Sequence, residues 1–258
     1  MPQIADTYEV QPGDSLSRIA AHFGVTLDEL LAANKQITNR DLINIGQKIN
    51  IPGVDAVPVT PVPAHAEVFD GHHPAPGTTS TSRALYVHPP LTNSEGKRDQ
   101  AIYAQLINQF AVGDNPRYLA GHGKTYCNIF VWDVTRAMGA EVPHWVDAAG
   151  NIAAPGAAGA NEININGGVS WMRTRGVPRH NWRSATAAEA NDAANKGLVS
   201  VVMWKNPTGG HGHTAVVRPG IINSRGPQIA QAGRHNFNMG RVADGFGSLS
   251  PLEYFIHD

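Results

Sequence analysis

Cysteine is nearly missing from this chain: Cys127 is the only one among 258 residues. No internal disulfide can form, so a packed core must carry the fold. Charge is sparse as well, at 16% of residues with a formal net charge of -1. A nucleic-acid binder normally carries a basic excess or stripe, and neither is present, so no nucleic-acid partner is expected. No apolar run approaches the length of a membrane-spanning helix, which excludes a predicted membrane span. The opening residues MPQIADTYEV lack a basic start, an apolar centre and a small-residue cleavage site, so no secretory leader is expected. A protein of this kind is expected to be made in the cytoplasm and to reach any outside target through release or specialised export. What the chain has in quantity is Gly (27) and Pro (18), which predicts extensive loops.

Three segments follow one another. Residues 5–52 read as strand, helix, helix, strand. Thr7 to Gln11 alternates apolar and polar residues, and Pro12-Gly13 turns the chain. Asp14 is placed to cap a helix whose apolar face is Leu16, Ile19, Ala20 and Phe23, and Gly24 stops it. Thr26-Leu-Asp-Glu29 is a capping-box pattern that opens a second helix, ended by Asn34 and Lys35. Gln47 to Ile51 returns as a strand closed by Pro52.

In the segments YEVQPGDSLSRIAAHFGV and ELLAANKQITNRDLINIGQKINIP this unit resembles a LysM module. The resemblance implies binding to N-acetylglucosamine-containing chains such as peptidoglycan and chitin. It also implies a groove between two loops, formed here by Gly13, Asp14, Ser15 and Leu16 opposite Asp41, Leu42 and Ile43. A turn made by Gly13 and a cap made by Asp14 are compatible with that role.

Residues 53–83 have a linker's composition, with Pro58, Pro61, Pro63, Pro74 and Pro76 followed by TTSTS. Such a stretch has too little apolar surface to offset its ordering entropy. His65, His72 and His73 lie in it, but a metal site needs more ligands and a fixed shell.

Residues 84–258 predict an α+β domain with an antiparallel sheet. A helix is expected over Asp99 to Val112, with Ile102, Leu106, Ile107 and Phe110 on one stripe. Another runs through CNIFVWDVTRAM, stopped by Gly139, and Thr186 to Glu189 is a second capping box. Then the period changes. Val199 to Trp204 reads as a buried strand, NPTGG as a turn, His213 to Val217 and Gln228 to Gln231 as two more strands.

The candidate chemistry lies on these elements. Cys127 falls where a helix begins, and the free N–H groups and positive dipole end there favour a thiolate. A nucleophile of this kind needs a base and a group that orients the base. His213 opens a strand after a glycine-rich turn, and Gln231 on the next strand offers a side-chain oxygen to fix the imidazole tautomer. Asn236 and His235 remain alternatives for that third role. His211 is read as a turn residue near the mouth of the site. Asn128 is read as shaping the site or as locally bonded, and Trp132 and Trp204 as core.

At TYCNIFVWDVTRAMGA, GLVSVVMWKNPTGGHGHTAVVRPG and PQIAQAGRHNFN the sequence resembles the CHAP and NlpC/P60 superfamily of cysteine peptidoglycan hydrolases. That resemblance implies a papain-like α+β domain with an N-terminal catalytic helix, carrying Cys127, His213 after Gly212, and Gln231. It departs from the family in the third residue, more often acidic, Asn or His, since an amide cannot stabilise an imidazolium by charge. The expected function is cleavage of a peptidoglycan amide, in the stem peptide or at the muramyl–peptide linkage, with no cofactor and no metal. Two alternatives stay open: a zinc peptidase using His211 and His213, and a wall-binding protein without activity. An endolysin and an exported antibacterial effector fit equally, the latter with an immunity protein as partner.

Overall fold

The computed structural model describes residues 4–10, 14–22, 25–40, 42–52, 69–80, 82–93, 98–121 and 123–258. The chain divides into two units, Met1–Ala64 and His65–Asp258. Among the described residues no helix is long and apolar enough to cross a membrane.

In the small unit β1 (Ile4–Glu9) pairs antiparallel with β2 (Lys48–Pro52), Tyr8 opposite Ile49. Between them lie α1 (Leu16–His22) and α2 (Leu27–Ala33). The Thr26 capping box forms in full: Thr26 Oγ1 accepts from the Glu29 N–H, and Glu29 accepts from the Thr26 N–H. Such a cap is worth about 1 kcal/mol. Leu16, Ile19, Leu30, Ile49 and Ile51 make the core. Asn34 caps α2 and is fully buried there; its amide donates to Leu30 O and accepts from the Asn50 N–H, tying helix to strand. Phe23 and Gly24 lie outside the described residues.

The large unit is built on a six-stranded antiparallel sheet. Its elements in chain order are α3 (Gln100–Asn108), α4 (Cys127–Ala137), β3 (Trp145–Val146), β4 (Asn161–Glu162), α5 (Ile165–Trp171), a π-helical turn (Met172–Gly176), α6 (Val177–Arg179), β5 (Trp182–Ala185), α7 (Ala187–Asn195), β6 (Val199–Trp204), β7 (His213–Val217), β8 (Gln228–Gln231), β9 (Phe237–Arg241), α8 (Val242–Phe246) and β10 (Glu253–His257). The strand order is β5-β10-β6-β7-β8-β9, with β3 and β4 forming a separate pair. Helix α3 packs against both α4 and α7, and α4 and α7 also pack on the sheet. Every residue of β6 except Trp204 is buried, which explains an unbroken VSVVMW run: both faces are covered. Gly139 and Gly197 adopt positive φ just beyond α4 and α7, as helix stops require.

The expected linker, residues 53–83, is described only from Phe69, save for residue 81. Residues 53–68, with His65, lie outside the described residues. From Phe69 onward the segment belongs to the large unit. The Phe69 N–H donates to Gln105, Asn108 donates to Phe69 O, the Ala75 N–H donates to Gln109 O, and Ala75 and Thr78 are buried. Proline and threonine composition gave no sign of this, because the partners are backbone groups met by Gln105, Asn108 and Gln109 of another element. His72 and His73 donate their backbone N–H groups to Asp70 Oδ1.

Candidate active site

Cys127, His213 and Gln231 line one cleft of the large unit, with a volume of about 1230 Å³. Cys127 is the first residue of α4 and its side chain is buried. The backbone N–H groups of Thr214, Asn128 and Cys127 itself reach its sulfur. The nucleophile candidate therefore abuts the start of β7, the strand that His213 opens. Gly212 explains why a glycine precedes that histidine: a Cβ there would collide with the Trp204 carbonyl and with Asn166. Trp204 is the residue paired with His213 in the sheet, so a side chain at 212 would push the two strands apart.

The imidazole is held in one tautomer. Gln231 Nε2 donates to His235 O at 3.1 Å, which turns its Oε1 toward the ring, and His213 Nε2 lies 2.7 Å from that oxygen. An amide oxygen only accepts, so Nε2 carries the proton and Nδ1 keeps its lone pair. Phe246 of α8 packs on the ring, with centroids 4.7 Å apart. Burial pushes the His213 pKa below the usual imidazole range, against a smaller upward effect of the Gln231 bond. His213 is thus neutral at pH 7, with Nδ1 available as a base.

Two opposed effects act on the Cys127 thiol. Burial pushes its thiol up to about 11, outweighing the three backbone N–H groups that favour the anion. The helix start acts as predicted in direction, but desolvation is larger. Burial thus works against charge on both Cys127 and His213.

Of the three candidates for orienter, Gln231 is the one bonded to His213. Asn236 is spent elsewhere: its Oδ1 accepts from the Gly233 N–H and its Nδ2 donates to Val112 O and Tyr118 O. His235 supplies a backbone carbonyl to Gln231 and exposes its ring at the cleft. His211 is exposed on the cleft wall. Trp132 is core, donating to Glu141 at 2.7 Å, whereas Trp204 is half-buried and lines the cleft.

Sequence reasoning missed His144 and Glu162, which also line the cleft. Asn128 Nδ2 donates to His144 Nδ1 at 3.2 Å, and His144 Nε2 then donates to Glu162 Oε1 at 3.1 Å. This chain fixes the Asn128 amide beside Cys127. Arg83 was missed as well: its guanidinium carbon sits 3.9 Å from the centroid of the Tyr126 ring, next to the nucleophile. The only available signal for either was an unexplained polar residue in a loop. Asp133, on the same helix as Cys127, forms a buried pair with Arg117 at 2.7 Å and accepts from Tyr118 Oη at 2.8 Å. Arg117 in turn donates to Ser82 O, Arg83 O and Leu85 O, so α4 anchors the loop that carries Arg83. Among the described residues, no three His, Cys, Asp or Glu side chains lie close enough together to share a metal ion.

In the small unit Gly13 and Asp41 lie outside the described residues. Asp14 Oδ2 accepts from Tyr8 Oη at 2.7 Å, and Ser15 Oγ lies 3.1 Å from Ser17 Oγ. The Leu16 side chain is buried in the core, so only its backbone is left to face a glycan; the apolar position that opens α1 serves packing. Leu42 is 63% exposed, and Ile43 packs partly against the core.

The LysM domain family model matches residues 8–52. Residues 8–52 are a LysM domain. LysM domains bind glycans such as peptidoglycan or chitin. The secreted LysM effector ECP6 of Passalora fulva is 44% identical over 52 residues, 20% of this chain and 23% of that protein. SpoIVD-associated factor A of Bacillus subtilis (strain 168) is 42% identical over 69 residues, 27% of this chain and 16% of that protein. An uncharacterized protein of Deinococcus radiodurans is 50% identical over 48 residues, 18% of this chain and 19% of that protein. The chain spans less than a quarter of the length of each of these relatives.

Proposed function

We propose that the large unit is a cysteine amidase or endopeptidase acting on peptidoglycan, brought to its substrate by the LysM domain. The observation that carries this reading is the bond from His213 Nε2 to Gln231 Oε1. It leaves Nδ1 as the base at the start of β7, the strand whose Thr214 N–H touches the Cys127 sulfur. An oriented imidazole beside a helix-opening cysteine is the arrangement that thiol acyl transfer needs. The antiparallel sheet with α4 packed on β7 supports the papain-like, CHAP or NlpC/P60-like reading of the fold.

His213 Nδ1 takes the thiol proton as the sulfur attacks an amide carbonyl carbon. The C–S bond forms, and the oxyanion is met by backbone N–H groups at the start of α4. The C–N bond then breaks, with His213 returning the proton to the leaving amine. Water adds to the thioester, again deprotonated by His213, and releases a carboxylic acid and the free thiol. The LysM domain raises the local concentration of wall substrate by tethering, and the site of action is the bacterial cell wall.

The test is digestion of purified sacculi by the wild type and by Cys127→Ala, with fragments read by mass spectrometry and sacculus binding measured for both. Release of new amines by the wild type, with a mutant that binds but releases none, is the expected result. A mutant that digests as well as the wild type removes the thiol mechanism. Binding without digestion by either leaves a wall-binding protein.

A further inference from the structure

We propose that Arg83 is a substrate-binding residue of the cleft that holds a carboxylate, so that the preferred substrate carries a carboxylate beside its scissile amide. This rests on the hydrolase reading above for the word substrate, but the binding itself does not depend on turnover.

The cleft is lined by three strong cations, Arg83, Lys124 and Arg234, and by two carboxylates, Glu162 and Asp244. Both carboxylates are engaged. Glu162 accepts from His144, and Asp244 pairs with Arg225 and accepts from the Arg241 N–H. None of the three cations has a carboxylate partner among the described residues. The cleft therefore presents net positive charge to whatever enters it, and Lys124 and Arg234 lie exposed at its surface.

Arg83 is the fixed member of the set. Its Nε donates to Arg117 O at 2.8 Å and its Nη2 to Pro116 O at 3.1 Å. Its plane lies over the Tyr126 ring, one residue before Cys127. Carbonyl oxygens hold a guanidinium in place without neutralising it, and Nη1 makes no hydrogen bond among the described residues. The loop beneath it is pinned by Arg117, itself fully buried against Asp133. A half-buried guanidinium, immobilised through one edge and open at the other, gives an anion a charge-assisted hydrogen bond with little further ordering cost. Peptides with carboxylates between their amides meet this description, whereas an uncharged peptide leaves the charge unmatched.

Two probes test it: N-acetyl-L-alanyl-γ-D-glutamyl-L-lysine with a free α-carboxylate on the glutamyl residue, and the same peptide as the α-carboxamide. Binding of each to the full chain carrying Cys127→Ala is measured by calorimetry. The carboxylate is expected to bind about tenfold more tightly or better, the worth of one hydrogen bond to a charged group. Adding Arg83→Met should erase that preference. Equal affinity for the two probes overturns the proposal, as does a preference that survives Arg83→Met, or failure of both probes to bind. The ligand-side comparison needs no change at Arg83, so a folding defect in that variant does not blunt the test. A carboxylate preference in a chain that digests no sacculi upholds the binding proposal while sinking the hydrolase reading.

Discussion

Gly245 leaves room for the carboxamide of Gln231: a Cβ at position 245 would collide with Gln231 Oε1, the atom that accepts from His213. The backbone at 245 lies outside the left-handed region, so alanine is conformationally allowed there. Gly245→Ala should therefore fold, displace the orienter and lower kcat by about fivefold, the net worth of one hydrogen bond of about 1 kcal/mol, with little change in KM. Steady-state kinetics on released wall fragments checks this, and an unchanged kcat would show that the Gln231 bond is dispensable.

The ionisation of Cys127 has its own signature. A thiol pushed up to about 11 by burial should be alkylated by iodoacetamide at a rate rising about tenfold per pH unit across the neutral and mildly alkaline range. A resting thiolate–imidazolium pair would instead give a rate that levels off at acid pH. The reading is mass spectrometry of the modified chain at a series of pH values.

Acid should weaken the large unit through its buried histidines. His213 and His144 are both held below the ordinary value of 6.5 by desolvation. As pH falls below 6.5, the unfolded chain takes up protons that the folded one refuses. Stability is therefore lost on that descent and regained as pH rises back to 6.5. Denaturant midpoints measured for the wild type and for His144→Phe should converge in slope with pH if His144 contributes nothing, and diverge if it does.

The Arg117–Asp133 pair is fully buried, so removing one partner strands the other charge. Asp133→Ala should cost about 3–5 kcal/mol, or roughly 10 °C in Tm for a unit of this size. Replacing both residues by apolar ones should recover much of that loss, which thermal melts of the single and double variants will decide.

In the LysM domain, Leu42 offers an apolar side chain to solvent. Leu42→Ser should weaken binding of the Cys127→Ala chain to purified sacculi by about three- to tenfold, with the melting temperature unchanged. A pull-down titration reads the effect, and undiminished binding would exclude Leu42 from the glycan surface.

What the sequence disclosed was local. Both capping boxes, the helix opening at Cys127 and strands β6 to β8 were legible because caps, glycine stops and apolar runs act within a few residues. Strand β10 was not, because its place between β5 and β6 is set by partners 50 or more residues earlier. His144, Glu162 and Arg83 stand on segments without period, and only tertiary contact brings them to Cys127. The burial that pushes the Cys127 thiol up was hidden for the same reason: a helix terminus can be read from neighbours, whereas desolvation belongs to the whole fold.

The Arg117 side chain grips the 82–85 loop through the carbonyls of Ser82, Arg83 and Leu85. Carbonyls are common to all residue types, so the anchorage is indifferent to which side chains the loop displays. Natural variation, or a library built at those positions, has a wall of the cleft to rewrite without unseating it, and substrate preference is free to diverge while α4 and its cysteine stay where they are.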